Sequence, residues 1–83
     1  MIVQMYAVKD VKTVFNKPHI QLNEIAAVRE FKNYINCGDP FPEKNYGDLE
    51  LWHVGSYDDV TGEIVPCLEF VTNGASVKEV VAE

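Results

Sequence analysis

The stretch that most constrains the fold is Leu49 to Ile64, LELWHVGSYDDVTGEI. Two runs rich in apolar, β-branched and aromatic residues flank a polar tip, the pattern of two antiparallel strands joined by a hairpin. Asp58, Asp59 and Thr61 can bond neighbouring backbone groups, and Gly62 tolerates a positive φ. The expectation is a type I turn closed by a glycine bulge, joining strands over about 49–57 and 63–71. Pro66 cannot donate to a ladder, which places the second strand at a sheet edge or at an interruption.

The rest of the chain supplies what the hairpin must pack against. Residues 2–8 (IVQMYAV) read as a central, buried strand, and Asp10 to His19 as a loop bent at Pro18. Asn23 is the expected N-cap of a helix, with Glu24 in its first turn. Ile25, Val28, Phe31 or Lys32, and Ile35 recur at helical spacing, and Gly38 and Pro40 stop the helix. Residues 37–48 read as a loop. After a turn at Asn73–Gly74, Ser76 is the expected cap of a short last helix with Val77, Val80 and Val81 as its apolar positions. A further strand from Val77 to Val81 is the alternative. The order β-α-β-β plus a terminal element predicts an α+β fold: a small antiparallel sheet with one main helix on one face. One domain spans 1–72, followed by a short element over 73–83.

Charge and composition exclude more than they assign. Of the charged residues, 1–35 hold five basic and three acidic ones, and 36–83 hold two basic and ten acidic ones, for a net charge of −6. The first half can present a basic face, whereas the second repels phosphate and can attract basic partners. No apolar run is long enough to span a membrane, and the opening MIVQMYAV reads as a strand, not a leader, so a cytosolic protein is expected. Cys37 and Cys67 are then free thiols. No Cys/His spacing suggests a metal, no glycine pattern suggests a phosphate loop, and no cofactor is expected. A Cys67–His53 pairing across the hairpin is conceivable, but nothing in the spacing specifies a nucleophile. The chain is not expected to be an enzyme.

Three segments together resemble the small nonstructural protein of gokushoviruses, the single-stranded DNA phages of the Microviridae. Val8-Lys9-Asp10-Val11-Lys12 is similar to that family's V-x-D-x-K, and Ala27-Val28-Arg29-Glu30-Phe31 to its A-x-R-x-F. Leu51-Trp52-His53-Val54-Gly55-Ser56-Tyr57-Asp58 is similar to its L-x-x-(I/L/V)-G-x-(F/Y)-D, with Thr61-Gly62 beyond. The resemblance covers about residues 5–64. It implies a non-catalytic, replication-associated DNA-binding protein in the cytoplasm of the infected host, acting as the genome shifts from duplex replication to single-strand synthesis and packaging. Lys12 and Arg29 are the basic positions it matches; Asp10 and Asp58 are also matched, and loop and turn chemistry accounts for both.

Two functional expectations follow. In the first, Lys9, Lys12, Lys17, Arg29 and Lys32 neutralise the phosphates of single-stranded DNA while Phe15 or Trp52 stacks on bases. Phe15 is either tucked under its loop or exposed for contact. Trp52 lies on an outer face, under the helix or in a homodimer interface. In the second, Asp58, Asp59 and Glu63 dock an acidic interaction module on a basic phage or host protein, in the manner of a DNA mimic.

Overall fold

The hairpin forms one side of the sheet. A computed structural model describes residues 1–79. The elements are β1 (Ile2–Asp10), β2 (His19–Gln21), α1 (Glu24–Ile35), α2 (Pro40–Asn45), a 3-10 turn (Tyr46–Asp48), β3 (Leu49–Asp58), β4 (Ile64–Asn73) and α3 (Gly74–Val77). The strands form one antiparallel sheet in the order β2-β1-β3-β4. The protein is therefore α+β, with α1 packed on one face of an open sheet. β4 is an edge strand, one of the two placements that Pro66 allows.

The hairpin reverses over Asp59–Gly62, and Gly62 takes the expected positive φ of 80°. The closing bond runs from the Gly62 N–H to the Asp58 carbonyl at 2.7 Å. It spans one residue more than the i→i+3 bond of the expected type I turn. Asp58 Oδ1 also accepts from the Val60 N–H at 2.9 Å, so its carboxylate helps build the turn.

Asn23 caps α1 by accepting from the Ala26 N–H at 2.8 Å. The buried stripe is Ala27, Phe31 and Ile35, at i, i+4 and i+8, with Val28 packed beside it; of the expected stripe, Ile25 falls outside, 74% exposed. The small Ala27 lets the helix approach the sheet, where Tyr6, Leu49 and Leu51 complete the core. Residues 37–48 are not a plain loop. Pro40 opens α2, because a first-turn proline has no N–H to lose.

Two more local expectations are corrected. The short β2 falls where only a bend was expected; it is read as a strand because it pairs with Gln4–Tyr6. Asn73, not Ser76, caps α3, accepting from the Ser76 N–H at 2.8 Å. Val77 falls in α3, which bears out the expected short helix over the alternative strand, while Val80 and Val81 lie outside the described residues. Gly74 is buried and Val77 packs on the core, so the described part of this segment folds against the rest of the chain. Asn36 fastens it there. Its Nδ2 donates to the Lys32 and Val77 carbonyls at 2.9 and 3.0 Å, and its Oδ1 accepts from the Glu79 N–H at 2.8 Å.

Candidate nucleic-acid interface on the open sheet face

Strand alternation divides the sheet into a face under α1 and an open one. Tyr6 and Leu51 belong to the helix face, so their neighbours Ala7 and Trp52, which pair with each other, belong to the open face. Phe70 pairs with Trp52 in the next ladder and points the same way. Along β4, Leu68, Pro66 and Ile64 share that side by the period of two.

A row of three aromatic rings crosses this face. Trp52 stands edge-on to Phe70, with centroids 5.7 Å apart, and edge-on to Phe15, with centroids 5.9 Å apart. Phe15 arrives because the 11–16 loop folds back on β1. Lys9 and Phe15 form an isolated bridge, and the Asn16 N–H donates to the Val8 carbonyl at 2.8 Å. Lys9 Nζ sits 5.2 Å from the Phe15 centroid and 5.5 Å from that of Trp52, within cation–π range of both. The indole N–H is held by Glu50 Oε1 at 3.0 Å, which fixes the ring plane. Phe15 is 38% exposed and Phe70 is 50% exposed.

Of the expected nucleic-acid residues, the fold brings together Lys9, Phe15 and Trp52 and leaves the others elsewhere. Trp52 is not under the helix, and Phe15 is neither tucked away nor isolated. Lys12 is exposed in the loop beyond β1, where its N–H donates to Asp10 Oδ1 at 2.9 Å. Lys17 lines a cleft of about 250 Å³ with Tyr6, Phe31, Tyr34 and Leu51, on the helix side. Arg29 and Lys32 are exposed on α1, and Lys32 pairs with Glu79 at 3.5 Å. The expected basic face is thus divided between the two sides of the sheet. Phe70 was not anticipated, although the hairpin register that sets it opposite Trp52 was the available signal.

The acidic tip is largely engaged in its own structure. Asp58 accepts from the turn, and Asp59 Oδ1 pairs with the Met1 amino group at 2.7 Å. Glu63 is held only through its backbone, its N–H donating to Thr61 Oγ1 at 3.2 Å, and its side chain is exposed.

On the helix face, Cys67 does meet His53, with Sγ 3.2 Å from Nδ1. Burial, followed by the nearby Glu69 carboxylate, raises the thiol's pKa above its ordinary value. An activated nucleophile needs the opposite shift. Tyr6, whose ring lies 4.9 Å from that of His53, is likewise raised by burial and then by Glu24, Cys67 and Glu69.

The sequence profile of the phage ORF5 protein family matches residues 3–77, from the first strand through α3. The chain belongs to that family. It is thus a phage protein, and both faces of the sheet lie within the matched region. Membership of the ORF5 family carries no narrower viral lineage and no ligand. No curated protein and no solved structure matches the chain. Among the described residues, no helix is long and apolar enough to cross a membrane.

Proposed function

We propose that this phage protein binds single-stranded DNA, without catalysis, on the open face of its sheet. The observation that supports the reading is the Phe15–Trp52–Phe70 row with Lys9 lying over two of its rings. An uncovered antiparallel sheet bearing aromatic rings suits unpaired bases, which can splay and stack, whereas a duplex keeps its base faces covered. Lys9 meets a phosphate beside the stacked bases, and Lys12, in the loop that carries Phe15, extends the track. Arg29 and Lys32, on α1, stay outside the contact.

A net charge of −6 makes stacking the main source of affinity and limits the number of phosphates neutralised. Binding therefore weakens with salt on a shallow slope. The gokushovirus-like motifs that run through Lys9 and Trp52 add a setting: the host cytoplasm, during the change from duplex replication to single-strand synthesis and packaging. The test is anisotropy of labelled single-stranded and duplex DNA across a salt series. The reading requires a preference for single strands and fails if neither form binds at low salt.

A second reading draws on a different observation. Ile64, Leu68 and Phe70 are at least half exposed along edge strand β4, an apolar strip that a protein surface could cover. In this reading the face is a protein contact, with a second copy of the chain or with a basic phage or host protein. Light scattering combined with the DNA titration separates the two. A dimer that does not bind DNA supports the second reading.

A further inference from the structure

The helix-side face of the hairpin holds a cluster unconnected with the aromatic row. His53 on β3 pairs with Glu69 on β4, and Cys67 lies two residues before Glu69 on the same side of that strand. A ring nitrogen of His53, Cys67 Sγ and a Glu69 carboxylate oxygen all lie within 4.8 Å of one another. We propose that His53, Cys67 and Glu69 form a zinc site with an open fourth position.

Three features support it. The first is spacing. Zinc bonds of about 2.3 Å to sulfur and about 2.0–2.1 Å to nitrogen put two tetrahedral ligand atoms roughly 3.5 Å apart. The Sγ–Nδ1 distance of 3.2 Å is already close to that. Glu69 is exposed, so its side chain has room to close the remaining gap.

The second is the outer shell. His53 Nε2 is 2.7 Å from Gln4 Oε1, an oxygen that only accepts. With Nε2 donating to that oxygen, Nδ1 is the nitrogen that faces Cys67 and is offered to the ion. A ligating histidine whose second nitrogen is tied to a fixed acceptor is the usual support of a metal centre. The ring is also braced by Tyr6.

The third is ligand chemistry and charge. Thiolate and imidazole select a borderline-soft ion over magnesium or calcium. On binding, the Cys67 thiol releases its proton to solvent. One thiolate, one carboxylate and a neutral imidazole then balance the two positive charges of zinc. The ion would join β3 to β4 where the ladder changes register between His53 and Gly55, with water in its fourth position.

Cobalt(II) serves as the spectroscopic probe, titrated into the full chain carrying Cys37→Ser, which removes the other, exposed thiol. The expected result is one equivalent bound, with a thiolate-to-cobalt charge-transfer band and intense tetrahedral visible bands, all abolished by zinc chloride. Cys67→Ser should remove the charge-transfer band while circular dichroism stays unchanged. Gln4→Ala, acting through His53, should weaken binding by about 10- to 100-fold. The proposal is overturned if the Cys37→Ser protein shows no charge-transfer band, or if the band survives Cys67→Ser.

Discussion

Trp52 and Phe70 meet edge to face across the β3–β4 ladder, their planes 80° apart, on the side of the sheet that α1 leaves uncovered. Their separation is fixed by strand pairing, so the two rings form a platform whose geometry is set before any ligand arrives. Pre-organised stacking surfaces lose little entropy on binding.

Removing one ring of the platform should therefore be costly. Phe70→Ala and Trp52→Ala are each expected to weaken single-strand affinity by about 1–3 kcal/mol, or roughly 5- to 150-fold. Phe70→Ala is the cleaner variant because Phe70 is half exposed and outside the core. Anisotropy of a labelled oligonucleotide measures the loss.

Charge should matter only where it adjoins the rings. Lys9→Gln is expected to lower the slope of log affinity against log salt by about one phosphate contact. The Arg29→Ala, Lys32→Ala double variant should leave both affinity and slope unchanged, since those residues sit on α1. A salt series on the three proteins decides the point.

The hairpin, the Asn23 cap and the edge position of β4 were legible because each rests on local chemistry: turn residues, a side-chain cap and a proline. The leading position of α1's buried stripe was not. Ile25 is more apolar than Ala27, yet the sheet selects the small residue where the helix must come close. The strand at His19–Gln21 also escaped notice, since three residues carry no period and exist as a strand only through pairing with β1. In the candidate site, Lys9, Phe15 and Trp52 could be named but not assembled. Their meeting depends on the 11–16 loop folding back on β1, a non-local event. The His53–Cys67–Glu69 cluster escaped for the same reason, because cross-strand ligands leave no short spacing motif.

The terminal segment should tolerate no side chain at Gly74. A Cβ there would overlap the Tyr46 carbonyl oxygen and press on Ile35 Cδ1 at 3.1 Å. Gly74→Ala is expected to cost about 3 kcal/mol, because backbone atoms cannot yield as a flexible side chain can. Urea unfolding followed by circular dichroism gives the value.

Asn36 should prove a stability residue with no part in DNA binding. Its side chain makes three hydrogen bonds, one to the Lys32 carbonyl within α1 and two that join the end of α1 to Val77 and Glu79. Asn36→Ala is expected to lower stability by about 2 kcal/mol, from bonds of about 0.5–1.5 kcal/mol each. Its oligonucleotide affinity, measured on the folded fraction, should match that of the parent protein.

The central claim is that single-stranded DNA stacks on the open face, and Trp52, the chain's one tryptophan, reports on that face directly. The decisive measurement is tryptophan emission during titration with unlabelled oligothymidylate at low salt. The account predicts saturable quenching that Phe70→Ala shifts to higher DNA concentration. Emission that ignores excess oligonucleotide but changes with protein concentration would contradict it, and would show that another protein surface covers the rings.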